Sequence, residues 1–186
     1  MSEVFYSAVY HPYWIYQEDG SKVHNPKTDT YTRALMDFKK PENARPGKHK
    51  QAIDLFSKMF AEELVNQGFD SDEYQIVIVP SSRAGVVSES LISVAEYASD
   101  ELGLEVCSSA LERVVTIEAL HEGGDRSQAV HIRSIEVNVD ELDPDKEIVL
   151  LDDVTTSGNT LFACQTLLQR AGFESIHLFS LLRTER

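Results

Sequence analysis

Two kinds of apolar pattern alternate along the chain. Short unbroken runs occur at Gln75–Val79 (QIVIV), Ile148–Leu151 (IVLL) and Ser175–Leu182 (SIHLFSLL). Such runs suit strands buried on both faces of a sheet. Between them, apolar residues recur at helical spacing. Ile53, Phe56, Phe60 and Leu64 mark a helix over His49 to Gln67, with Gly68 as its stop. A second helix is predicted from about Val86 to Leu102. A third carries Leu161, Cys164, Leu168 and Ala171 on one face before Gly172 ends it. Leu104–Leu111 reads as a further strand, Ile135–Val139 as a short extended segment, and Glu141–Lys146 as an acidic turn. Strands alternating with helices predict an α/β fold: a doubly wound, mostly parallel sheet with right-handed crossovers.

Two regions break the alternation. Residues 1–35 are dense in aromatics (Phe5, Tyr6, Tyr10, Tyr13, Trp14 and Tyr16), with a turn at Glu18–Ser21. They read as an irregular or hairpin-containing, hood-like segment that can pack on the core, form a dimer contact or stack a planar base. Tyr31–Phe38 is helical or strand-like, and Pro41, Pro46 and Gly47 mark a loop after it. The second region follows Arg113. It is polar and contains Gly123-Gly124, which predicts a flexible loop. Without repeats, low-complexity tracts or a long linker, the expectation is a single domain over 1–186. Its hood-like segment and first long helix would occupy 1–70, and the core 75–183.

Composition narrows the function. The 186 residues carry a formal net charge of −14, which argues against nucleic acid or an anionic membrane surface as the main partner. No run approaches the ~18 apolar residues of a membrane span, and no leader is visible at the first residues. Cys107 and Cys164 lack metal-ligand spacing and are expected to be reduced and buried in a cytoplasmic protein. No structural zinc is expected from the six histidines. The basic residues cluster, as Lys39, Lys40, Arg45, Lys48 and Lys50, and as Arg113, Arg126 and Arg133. Basic patches on an acidic chain suit a small polyanionic ligand.

The most informative stretch is Ile148 to Thr160, IVLLDDVTTSGNT. An apolar strand meets two acids, Asp152 and Asp153, then Thr155, Thr156, Ser157, Gly158, Asn159 and Thr160, and a helix begins. The turn presents free backbone N–H groups and the positive end of a helix dipole. Hydroxyls add donors, and Gly158 permits close approach of the backbone, so the turn is a cradle for a phosphate monoester. Carboxylates repel phosphate. Asp152 and Asp153 therefore face something else, namely sugar hydroxyls or a hydrated magnesium ion. Phosphate and diol a few ångströms apart describe ribose 5-phosphate. An ATPase metal-binding strand also ends in acids, but it requires a G-x-x-x-x-G-K-[ST] loop. The one Gly-Lys pair, Gly47-Lys48, precedes His49 and has Glu42 where the first glycine belongs. A plain capped strand-to-helix turn accounts for one hydroxyl and leaves both acids unexplained.

This stretch resembles the phosphoribosyl pyrophosphate (PRPP) motif of type I phosphoribosyltransferases, and the chain as a whole looks like a divergent ComF-like member. The resemblance is strong over 148–160 and weaker over the rest of 31–183. It implies transfer of ribose 5-phosphate from PRPP to a small nitrogenous acceptor, a nucleobase or a related compound, with release of pyrophosphate and Mg2+ as cofactor. Thr155 to Thr160 would hold the 5-phosphate. Asp152 and Asp153 would hold the ribose hydroxyls, directly or through water on the metal. Ser81, Ser82, Arg83, Ala84 and Gly85 would bind pyrophosphate, helped by Arg113 and Arg126 from the flexible loop, where Thr116, Gln128 and Arg133 also match. A bare helix cap by Ser81 or Ser82 is the plainer reading of that loop, and His121 and His131 read as bystanders. The 6-oxopurine salvage enzymes of the family carry an aspartate three positions after the second acid. Here that position is Thr156, which disfavours hypoxanthine or guanine as acceptor. The fold also serves regulators that bind PRPP or nucleotides without turnover, and a homodimer is compatible with either role.

Overall fold

The computed structural model describes residues 3–39, 45–117 and 127–185. Five parallel strands form the central sheet: β1 (Val4–Tyr10), β4 (Tyr74–Ile78), β5 (Glu105–Cys107), β8 (Glu147–Thr155) and β9 (Ile176–Thr184), in the order β1-β9-β8-β4-β5. Two small antiparallel pairs flank it. One joins β2 (Trp14–Tyr16) to β3 (Lys22–His24), the other β6 (Leu111–Arg113) to β7 (Ile135–Val137). The helices are α1 (Thr30–Lys39), α2 (Lys48–Gln67), α3 (Glu89–Leu102), α4 (Gln128–Ser134) and α5 (Asn159–Arg170).

The strand alternation of side chains splits the core into two layers. Ile76, Ile78, Val149, Leu151 and Phe179 pack under α1, α2 and α3 through Phe38, Phe56, Phe60, Leu91 and Val94. Val77, Val79, Ile148, Leu150 and Leu178 face α5 through Leu161, Cys164 and Leu168, and also Leu111 and Ile135. Helices thus cover both faces, as the sequence predicts. From β4 the chain moves outward to β5, then returns to the other side of β4 for β8 and moves outward the other way to β9. The switch point lies between β4 and β8. In open α/β sheets ligands bind there, beyond the carboxyl ends of the strands.

Four features depart from the sequence reading. The aromatic segment does contain the hairpin β2–β3, but Val4–Tyr10 is a full edge strand of the main sheet. The stretch read as one strand over Leu104–Leu111 breaks into β5 and β6, turned by an Ala110 N–H bond to the Cys107 carbonyl at 3.4 Å. Helix α3 starts at Glu89, capped by the Ser88 hydroxyl, which accepts from the Leu91 N–H at 3.3 Å. The cap is therefore neither Ser81 nor Ser82, and the loop after β4 extends through residues 79–88. Residues 128–134, read as polar loop, form α4. Both cysteines are free and buried, and burial pushes the Cys107 thiol up to about 11. Among the described residues, no helix is long and apolar enough to cross a membrane.

Candidate functional site

Strand β8 carries Asp152 to the mouth of the switch point and continues to Thr155. It is held there by β9, with Asp152 opposite Ser180 and Val154 opposite Leu182. The buried Ser180 hydroxyl accepts the Thr155 N–H at 3.1 Å. Gly158, at φ 77°, then turns the chain into α5, a helix whose Asn159 N–H is accepted by the Ser157 hydroxyl at 3.4 Å. Its first-turn N–H groups have no partner within the helix. They open on a cavity of about 460 Å³ lined by Thr155 to Leu161 together with Ser127, His131, Asp152 and Val154. All six positions assigned to a phosphate, Thr155 to Thr160, line this cavity. Thr156 and Thr184 hydroxyls bond at 2.7 Å, which ties the loop to the end of β9.

A second cavity of about 270 Å³ adjoins it and shares Asp152, Val154, Thr160 and His131 in its wall. Its other walls include Asp153, Lys39, Arg113, and Ser81 and Ser82 from the loop after β4. Arg83, Ala84 and Gly85 sit at the exposed tip of that loop, outside the wall. Four of the five N–H groups over Ser81–Gly85 are already bonded. Ser81 donates to the Val86 carbonyl at 3.0 Å, Arg83 to the Ser81 hydroxyl at 3.2 Å, Ala84 to the Thr116 hydroxyl at 3.0 Å, and Gly85 to the Arg113 carbonyl at 2.9 Å. Of the remaining loop candidates, Gln128 binds the Phe162 carbonyl and the Thr166 hydroxyl, tying α4 to α5. Arg133 is exposed and bonds the Ala129 carbonyl. Arg126, His121 and Gly123-Gly124 lie outside the described residues.

Two residues enter the site that sequence reasoning left out. Lys39 ends α1, whose neighbouring Phe38 is fixed in the core, its ring edge-on to Phe56 at 5.2 Å. The Phe38 carbonyl also accepts the Ser90 hydroxyl at 3.0 Å. This anchoring delivers the Lys39 ammonium to Asp153 at 2.9 Å. The only sequence signal was its place in a basic cluster. His131, buried in α4, sits between Arg113 and Thr160.

The electrostatics follow from the crowding. Burial, with the Asp153 carboxylate adding to it, pushes Asp152 up to about 7, against the pull of Lys39, the Asp153 N–H and Arg113. Burial disfavours the Lys39 charge, but Asp153 and Asp152 outweigh it, so the ammonium is held above its usual range. Lys39→Met removes a cation that favours ionised Asp152. The Asp152 midpoint should move further up, followed by carboxyl-carbon NMR titration, and the protein should lose stability at pH 8.

Beyond Lys39 lies a third cavity, of about 600 Å³, lined by Tyr10, Pro12, Tyr13, Trp14, Tyr16, Leu35, Met36 and Asp37, with Lys39 at the junction. Aromatic residues of the N-terminal segment thus line a hollow that shares Lys39 with the cavity bearing the acids.

No protein-family model matches the chain, and no curated protein matches it. Among solved structures, it is similar to the crystal structure of a purine phosphoribosyltransferase from Pyrococcus horikoshii Ot3. The identity is 21% over 72% of this chain and 83% of that chain, with a TM-score of 0.40. A likeness of that degree leaves the chemistry to the residues of the site.

Proposed function

We propose that the protein binds PRPP and transfers its ribose 5-phosphate to a small nitrogenous heterocycle, releasing pyrophosphate. One observation carries this reading. A hydroxyl-lined cavity over the N-terminus of α5 and a cavity bearing two carboxylates share the wall formed by Asp152 and Thr160. That spacing of an anion cradle beside hydroxyl acceptors is what a phosphorylated ribose requires. The 5-phosphate lies over Thr155 to Thr160, and the ribose hydroxyls donate to Asp152 and Asp153. Pyrophosphate occupies the second cavity toward Ser81, Ser82 and Arg113. The acceptor stacks in the aromatic hollow, and Thr156 in place of an acid disfavours 6-oxopurines.

Breaking the bond at C1 of the ribose leaves a cation-like centre that needs no covalent partner from the protein. This chain supplies position and charge: a held phosphate, a held diol and a shielded space. The donor set fits magnesium. Two adjacent carboxylates face the cavity, and the described residues contain no cluster of three or more His, Cys, Asp or Glu. Mg2+ suits such a place because it keeps waters and leans on substrate oxygens. Asp152 and Asp153 would hold it through water, where it would neutralise pyrophosphate charge. Lys39 must then leave Asp153 or share it.

That ion pair and the internally bonded N–H groups of Ser81, Arg83, Ala84 and Gly85 favour a second reading, a PRPP- or nucleotide-binding regulator without turnover. The readings separate on one assay. Incubation with PRPP, Mg2+ and a panel of nucleobases and related heterocycles should release pyrophosphate steadily with at least one acceptor. Binding of PRPP with no release across the panel would leave the regulator.

A further inference from the structure

Arg113 and His131 are 1% and 2% exposed, a depth at which every polar atom needs a partner. The Arg113 guanidinium meets the Ser81 carbonyl through Nε, the Ser134 hydroxyl through one terminal nitrogen at 2.6 Å, and His131 Nδ1 through the other at 3.3 Å. On its far side His131 Nε2 lies 3.3 Å from the Thr160 hydroxyl oxygen. The chain of contacts therefore runs from the loop after β4, through one buried cation and one imidazole, to the first turn of α5.

Its direction is fixed by chemistry. A guanidinium has donors and no acceptor, so His131 Nδ1 must accept and carries no proton. A neutral imidazole then holds its single proton on Nε2, which donates to Thr160 Oγ1. One lone pair of the Thr160 oxygen is thus taken by His131, and the hydroxyl proton is turned away from the ring. Thr160 lines both cavities of the site.

We infer that Arg113 and His131 form a hydrogen-bond chain of fixed direction that turns the Thr160 hydroxyl proton away from the ring, so that Thr160 is set to donate to a phosphoryl oxygen at that point of the cavity. His131 is a positioning residue acting through Thr160, not an acid or base in the reaction. The same guanidinium holds the Ser81 carbonyl, so one buried cation sets the geometry of both ends of the site. The identity of the ligand rests on the phosphoribosyl reading, whereas the direction of the chain does not.

The first test needs no ligand. Nitrogen NMR of the protein, with histidine rings labelled, should show His131 protonated at Nε2 and bare at Nδ1. The opposite tautomer, or a doubly protonated ring at pH 7.5, overturns the inference. The second test titrates ribose 5-phosphate into the parent, Thr160→Val, His131→Leu, the double variant and His131→Gln. Thr160→Val and His131→Leu should each weaken binding about tenfold or more, as expected for a lost hydrogen bond to a charged group. The double variant should bind no more weakly than Thr160→Val alone. His131→Gln, whose amide both accepts and donates, should recover much of the affinity. Additive losses with no rescue by Gln would make His131 a packing residue and overturn the inference. If the parent does not bind ribose 5-phosphate, the phosphoribosyl reading fails, and the tautomer still decides the direction of the chain.

Discussion

Asp152→Asn is expected to stabilise the ligand-free protein at pH 8 and to abolish PRPP binding. Burial beside Asp153 moves the Asp152 carboxyl from its ordinary 3.8 up to about 7. Between those values the native state keeps a proton that the unfolded chain has released. Stability contributed by that proton is present below about pH 4 and is lost as pH rises through about 7. Above that the ionised carboxylate is a net cost of roughly 2–4 kcal/mol. Asparagine removes the charge and keeps the oxygen that accepts the Asp153 N–H at 2.8 Å. The variant should therefore melt higher than the parent at pH 8, match it near pH 4, and lose the downward slope between. A parent whose stability is flat from pH 4 to 8, or a variant that melts lower at pH 8, would contradict the account. A residue that weakens the empty fold and serves the ligand is the pattern expected of a functional site.

The second large effect is at Gly158. Its φ of 77° lies in the left-handed region, and a Cβ there would come within 2.6 Å of the Phe162 ring. Phe162 also donates its N–H to the Gly158 carbonyl at 2.8 Å, among the first bonds of α5. Valine adds a branched side chain where even Cβ does not fit, so the ring, the first turn or both must move. Those same first-turn groups face the cavity proposed for phosphate. Gly158→Val should lose about 2–3 kcal/mol of stability, from backbone strain plus displaced packing. Its affinity for PRPP should fall about a hundredfold, as the first-turn N–H bonds to phosphate are lost. Gly172→Ala is the matched control. That glycine has φ 106° with open space around it, so the substitution should cost stability and leave PRPP affinity unchanged. Equal affinity for Gly158→Val and the parent would place the phosphate elsewhere.

The layered α/β fold was legible because buried strands and amphipathic helices leave opposite signatures: unbroken IVLL at 148–151 against Ile53, Phe56, Phe60 and Leu64 at helical spacing. The strand, acidic pair, turn and helix over 148–160 were legible for a related reason, since they are consecutive and need no tertiary contact to be recognised. What escaped was everything brought in from afar. Val4–Tyr10 gains its strand identity from pairing with β9, 174 residues away between register partners Val4 and Leu178. Its mixed aromatic pattern does not announce that pairing. Seven-residue α4 is too short for a period to show. Lys39 looked like one cation in a basic run, and only the burial of Phe38 aims it at Asp153. His131 looked incidental because Arg113 and Thr160, which it meets in the fold, come from β6 and α5.

The fold makes the two acids unequal. In sequence, Asp152 and Asp153 look equivalent. In the fold, Asp152 is wedged between both cavities and titrates high, whereas Asp153 meets the Lys39 ammonium. On the proposed reading, Asp152 would be the carboxylate shared by the phosphate and diol compartments, and Asp153 the one whose partner is exchanged when ligand arrives.

The most direct measurement is calorimetric titration of PRPP with Mg2+ into the parent and into the Asp152→Asn, Asp153→Asn double variant, at pH 8, where the variant is expected to be folded. Saturable binding to the parent that disappears in the variant is the predicted result. Equal binding to both, or none to the parent, would contradict the assignment of this site to phosphoribosyl pyrophosphate.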